Sequence, residues 1–186
     1  MDGEDTVSTP TPFDRILKDM AEIVEEGAQD VQRFFGRLPT VRLQRLPHGE
    51  GIPHPFYSTE GAAAADLHAA VPDDEPVTVW PGETVAIPTG FAVAVPTGHE
   101  WQIRPRSGLA RKNSLMVPNS PGTIDSDYRG EVEVLIYNGG KDRFKITRGM
   151  RIAQALLAPV TRAAFEEVDV LPATKRGTGG FGSTGT

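Results

Sequence analysis

Hydrophobic and polar positions change period along the chain. Residues 1–12 are polar, carry prolines and are expected to be disordered. From Phe13 the apolar positions Phe13, Ile16, Leu17, Met20, Ile23, Val24, Val31, Phe34 and Phe35 recur at helical spacing, with charged residues between them. Thr11 can cap this predicted helix, Pro12 suits its first turn, and Asp14 completes a T-x-x-D capping pattern. Gly27 costs about 1 kcal/mol relative to alanine inside a helix and can divide it; Gly36 and Pro39 end it. From Val41 the period drops to two. Val41-Arg42-Leu43-Gln44-Arg45-Leu46 alternates as a half-buried strand does, and further strands are predicted at residues 77–80, 83–87, 91–95, 101–104, 132–137, 144–146 and 152–157. Pro81-Gly82, Thr89-Gly90 and Thr97-Gly98 read as turns between them. Residues 132–137 are the strongest strand, ending at Asn138-Gly139-Gly140. The alanine run at 62–65 looks helical but is short and runs into Asp66-Leu67. The expected fold is all-β, a sandwich or jelly roll, with an N-terminal extension bearing the amphipathic helix (1–38), a β core (39–172) and a mobile glycine-rich arm (173–186). The helix's apolar stripe packs on the main domain or a neighbouring copy, or else serves a protein partner.

Composition narrows this picture. A chain of 186 residues buries one good core but hardly two full domains, and 20 glycines with 16 prolines suit short strands and tight turns. There is no cysteine, which excludes disulfides and thiolate metal sites and is compatible with the cytoplasm. No apolar run approaches a membrane span, and the acidic residues of the N-terminal helix speak against an organelle-targeting peptide. A formal net charge of −6 argues against a broad nucleic-acid surface. The cations are nevertheless grouped: Arg104, Arg106, Arg111 and Lys112; Arg148 and Arg151; Lys175 and Arg176. Local basic groups on an acidic protein fit a small polyanion better than a polymer, although such groups are commonly only solvated faces.

Short segments carry the candidate chemistry. The tail from Arg176 to Thr186 matches G-x-G-x-x-G through Gly177, Gly179 and Gly182, yet no helix can follow it, and no lysine makes it a P-loop. Its glycines let backbone N–H groups approach an anion, with Arg176, Ser183 and Thr184 as donors and Phe181 as a ring to stack on a flat ligand; taken alone, the segment reads first as a plain glycine linker. Arg104-Pro105-Arg106-Ser107-Gly108-Leu109 offers guanidinium forks, a hydroxyl and close backbone approach, which suits phosphate oxygens; otherwise it is a strand end with exposed arginines. Residues 119–130 look like a hairpin leading into the strong strand, with the carboxylates Asp125 and Asp127, the amide Asn119 and the phenol Tyr128. One carboxylate can activate water and the ring can pack on a sugar, or Asp and Asn simply form the turn.

Taken together and in order, these segments resemble the trimeric dUTPase family over residues 41–186. The motif regions are Ala63-Ala64-Ala65-Asp66-Leu67, then Arg104-Pro105-Arg106-Ser107-Gly108-Leu109-Ala110, then residues 119–130, then Gly149-Met150-Arg151-Ile152-Ala153-Gln154, and last the tail. The resemblance implies a jelly-roll subunit in a homotrimer whose sites each draw on three chains. It also implies Mg²⁺-assisted hydrolysis of dUTP to dUMP and pyrophosphate. By the same resemblance Asp125 activates the water that attacks the α-phosphorus, and Tyr128 packs on deoxyribose. Asn119 and the backbone of Thr123, Ile124 and Asp125, and again near Glu133, read uracil. Arg106, Ser107, Gly108 and Gln154 hold phosphates. The tail closes over the site, with Arg176, Ser183 and Thr184 on phosphate and Phe181 and Gly182 over the base, and Asp66 meets Mg²⁺ through water. Ala64 stands where the family usually has glycine. A dCTP deaminase of the same fold, and a regulatory protein switched by dUTP, are the competing readings.

Overall fold

The computed structural model describes residues 38–180; the predicted N-terminal helix and the tail residues Phe181, Gly182, Ser183 and Thr184 lie outside the described residues. Mostly β structure results. The strands are β1 (Arg42–Arg45), β2 (Ala65–His68), β3 (Val77–Val79), β4 (Thr84–Ala94), β5 (His99–Pro105), β6 (Leu115–Met116), β7 (Gly122–Ile124), β8 (Glu131–Asn138), β9 (Phe144–Ile146) and β10 (Arg151–Pro159). Among the described residues one helix, α1 (Ser107–Asn113), and a 3-10 turn (Pro47–Gly49) complete the elements. Two four-stranded antiparallel sheets, ordered β1-β4-β8-β6 and β2-β10-β5-β7, are present among the described residues and are accompanied by a two-stranded ribbon of β3 and β9. Among the described residues no helix is long and apolar enough to cross a membrane.

Alternation explains the packing. In β8, Val132, Val134 and Ile136 are buried while Glu133 is exposed, so one face of this strand meets Leu67, Trp101, Ile103, Ile152 and Ala155 from the second sheet in a single apolar cluster. Asn138 closes that strand and is fully buried, which is tolerable only because its polar atoms are used. Its amide donates to Val79 O and Asp142 O, both at 2.9 Å, and its carbonyl accepts from Gly140 N at 2.9 Å, tying the ribbon to β8.

Two predicted boundaries change. Residues 83–87 and 91–95 are one strand, β4, and Thr89-Gly90 is no turn. Register against β8 slips between Pro88↔Glu133 and Ala92↔Glu131, a bulge that Gly90 accommodates with φ +76°. Residues 119–130 are likewise no simple hairpin onto the strong strand. β7 pairs with β5 (Trp101↔Ile124, Ile103↔Gly122), so the segment crosses from one sheet to the other before β8 begins. The turns at Gly82 and Gly98 are present, closed by Glu83 N to Trp80 O at 3.0 Å and His99 N to Pro96 O at 3.1 Å. Among the described residues regular structure ends at Pro159, and residues 161–178 are exposed, Phe165 almost wholly so.

Candidate active site

The predicted residues fall into separate groups within one chain. The first sits where β2, β10 and the end of β5 meet. Gln154 of β10 is in register with Asp66 of β2 on one side and Arg104 of β5 on the other, and its Nε2 donates to Pro105 O at 3.0 Å. Arg106 follows β5 directly and precedes α1, so Ser107 and Gly108 form the exposed first turn of that helix. The Arg106 side chain turns back across the sheet, and its Nε donates to Asp66 Oδ1 at 2.9 Å.

Asp66 is the hub of this group. It is 7% exposed. Its Oδ2 accepts from Ser58 Oγ at 2.8 Å and Arg151 Nη1 at 3.0 Å. Burial alone raises its carboxyl pKa, but the Ser58 hydrogen bond and the Arg106 and Arg151 guanidinium groups outweigh it and hold the group below the usual carboxylate range. The depressed folded-state pKa means that the stabilisation is complete above the unfolded value near ~4 and is lost as pH falls through the folded value. Asp66→Asn is therefore expected to cost about 1.5–3 kcal/mol in urea unfolding at pH 7, with a gap to wild type that narrows on acidification. A gap independent of pH would remove the ionised Asp66 from this role.

Arg151 and Ser58 were not among the predicted site residues, and Arg148 separates from Arg151. Arg148 donates to Val71 O at 3.0 Å and His48 O at 2.9 Å, a purely structural use of its charge. Beside the hub, His68 is buried and stacks on Phe56 at 5.7 Å between centroids, and burial pushes its imidazole pKa down.

The second group lies on the crossing segment. Asn119 packs against Gly122, and Thr123 Oγ1 donates to Glu100 Oε2 at 2.9 Å. Ile124 pairs with Trp101, which puts the exposed Asp125 level with Glu100; both line a cleft of about 590 Å³ with His99, Asp127 and Arg162. Tyr128 folds back over Gly130, where a Cβ would come within 2.4 Å of its hydroxyl, and that hydroxyl donates to Glu131 O at 2.9 Å. Glu133 pairs with Pro88 on β4, while β6 reaches only Tyr137 and Asn138, so the other edge of β8 has no strand beside it at Glu133 among the described residues.

Arg176 belongs to neither group. Its Nε donates to Gly179 O at 2.8 Å within a local turn on the exposed tail. The groups around Arg106 and Asp125 are themselves held apart. From Glu100, beside Asp125, to Arg106 the chain runs fully extended, about 20 Å at ~3.3 Å per residue.

Among the described residues no group of three or more His, Asp or Glu is gathered to hold a metal. Asp66 accepts three hydrogen bonds of the roughly four its carboxylate can take, which leaves Oδ1 room for a water but not for a dedicated protein cage. That donor set fits a cation brought in by a phosphate ligand and touched through water.

Comparison with known proteins shows which family the chain resembles. A family model described as dUTPase matches residues 50–185. The deoxyuridine 5'-triphosphate nucleotidohydrolase of Rhizobium meliloti (strain 1021) is 59% identical over 148 residues, covering 80% of this chain and 92% of that protein. The protein of the same name from Mesorhizobium japonicum is equally similar, again 59% over 148 residues, with coverage of 80% and 92%. The Staphylococcus bacteriophage 80alpha dUTPase, solved with dUpNHpp, superposes with a TM-score of 0.70 at 24% identity, covering 79% of this chain and 99% of that one, which bears on the fold alone. A mutant dUTPase from phage phi11 of S. aureus, described with a structural Mg(II) ion, gives a TM-score of 0.64 at 22% identity, with coverage of 72% and 99%. On the matched family model and the 59% identical relatives, the chain belongs to the dUTPase family.

Proposed function

We propose that this chain hydrolyses dUTP to dUMP and pyrophosphate at a composite site in a homotrimer of jelly-roll subunits, where the phosphate-binding group of one chain faces the crossing segment of another. The observation that carries this reading is the separation along β5. A general base must come within hydrogen-bond reach of the water it deprotonates, and that water must lie against the α-phosphorus. Asp125 and Arg106 of one chain, about 20 Å apart, cannot serve one phosphate chain at the α position. A copy related by symmetry can bring the two groups together.

In this site Asp125 is the general base, and its exposure on a loop leaves it free to meet substrate. Arg106 spends Nε on Asp66 and one Nη1 N–H on Arg151 O at 3.4 Å, so the Nη2 N–H groups remain for phosphate oxygens, with Ser107, Gly108 and Gln154 beside it. The Asp66 pair fixes the fork before substrate arrives, which is electrostatic preorganisation. Tyr128 packs on deoxyribose and leaves no space for a 2′-hydroxyl. Asn119 and the backbone of Thr123 to Asp125 read the uracil edge together with the unpaired edge of β8 near Glu133. Cytosine presents a donor where uracil presents an acceptor, and a site built for one rejects the other strongly. Mg²⁺, bound with the triphosphate and touched by Asp66 through water, would neutralise phosphate charge against the incoming water. Arg176, Phe181, Gly182, Ser183 and Thr184 close over the substrate and exclude bulk water.

Pyrophosphate release measured against a panel of deoxynucleoside triphosphates with Mg²⁺ tests the activity. The expected result is release from dUTP far above dCTP and dTTP. Ammonia release from dCTP, with dUTP left intact, would instead assign the chain to the deaminases of similar fold.

A further inference from the structure

At the junction beneath Tyr128, groups remote in sequence meet without any part in phosphate or base recognition. Glu131 is the first residue of β8, and its two ends do different things. Its backbone carbonyl accepts the Tyr128 hydroxyl at 2.9 Å. Its Oε1 accepts the Gly90 N–H at 2.8 Å and meets His48 Nε2 at 2.7 Å. Because a carboxylate only accepts, Nε2 is the protonated nitrogen of His48.

Each partner is there for a stated reason. The bulge in β4 takes Gly90 out of the ladder with β8, so its N–H needs another acceptor, and the Glu131 carboxylate supplies it. Gly90 also touches Gly49 backbone to backbone: a Cβ on Gly49 would fall 2.3 Å from Gly90 O, and one on Gly90 2.4 Å from Gly49 Cα. That approach seats the Pro47–Gly49 turn on the bulge and delivers His48 to Glu131. The turn is held from outside as well, since Arg148 donates to His48 O at 2.9 Å and Leu46 N donates to Gly90 O at 2.9 Å. The Glu131 side chain is mostly covered, 21% exposed, although it is charged.

We infer that Glu131, held by His48 and Gly90, is a positioning residue that sets sugar specificity by fixing the Tyr128 ring. The inference rests on the reading above that Tyr128 packs on deoxyribose. The geometry leaves the ring little choice. Gly130 beneath it has no Cβ, and the hydroxyl is anchored on a carbonyl whose own residue is tied at the side chain to two other elements. If Glu131 moves, the ring loses its anchor and the space for a 2′-hydroxyl is no longer denied. Glu131 acts through Tyr128 and does not touch substrate.

The test compares kcat and KM for dUTP and UTP in wild type, Glu131→Ala, Glu131→Gln, His48→Ala and Tyr128→Ala, with thermal unfolding of each. Glu131→Ala is expected to relax the dUTP/UTP preference in kcat/KM by about tenfold or more. Glu131→Gln keeps an acceptor for Gly90 and His48 and is expected to restore most of the preference. His48→Ala, on the exposed turn, is expected to relax the preference less than Glu131→Ala, and it carries the test alone if Glu131→Ala fails to fold. A lowered unfolding temperature with an unchanged preference in Glu131→Ala, or in His48→Ala where it stands alone, overturns the inference. Tyr128→Ala separates the two levels: if it retains the wild-type preference, the sugar reading of Tyr128 itself is wrong.

Discussion

Replacing Asp125 by asparagine is expected to lower kcat for dUTP by about 10²-fold or more while substrate still binds. Asparagine keeps the shape of the side chain and one acceptor oxygen, but it cannot take a proton from water. Asp125 is exposed in the single chain and no hydrogen bond joins its carboxylate to another described side chain, so the change costs the fold little. Binding persists because the phosphates, sugar and base are held by other residues. Single-turnover kinetics with a separate dUTP-binding titration make the distinction. An unchanged kcat would take the base away from Asp125, and a lost affinity with normal kcat would make it a binding residue.

Removal of residues 177–186 is expected to reduce turnover by about 10²-fold or more and to leave a folded trimer. Both halves of this expectation have a structural source. The last strand ends at Pro159, and the described part of the tail beyond residue 174 makes only local hydrogen bonds, Gly177 N to Thr174 O at 3.2 Å and Gly179 N to Arg176 O at 3.1 Å among them. None of the buried core residues among the described ones lies in this segment. A segment with one large apolar residue in ten gains order only by contact with something else, and the donors at Ser183 and Thr184 fit a phosphate chain. Sedimentation and thermal unfolding check the trimer, and steady-state kinetics check the lid. Normal turnover in the shortened protein would leave the tail without a role in closure.

How far the sequence discloses this architecture depends on the kind of signal. β8 and the short β9 were legible because their residues alternate against a core, while β10 was read as a strand without such an alternation. β4 read as two strands, since Thr89-Gly90 has the chemistry of a turn and only the register slip against β8 reveals a bulge. β2 escaped, because all four of its residues are buried and an alanine run carries no period of two. α1 escaped as well; seven residues span too little for helical periodicity to register. At the site, the order of the motifs identified the residue types and their family roles. It did not reveal that Arg106 and Arg151 converge on Asp66, because partners 40 and 85 positions apart meet only through strand pairing. The same holds for His48 and Glu131, 83 positions apart.

Complementation decides whether the site is completed between chains. Asp125→Asn and Arg106→Ala protein, each inactive alone, are unfolded, mixed in equal amounts and refolded together. If Asp125 and Arg106 act from different chains, random mixed trimers regain sites that take both intact residues, and about a quarter of wild-type activity is expected. If both residues act from one chain, every site in every mixed trimer lacks one of them and the mixture stays as inactive as its parents, which would contradict the account.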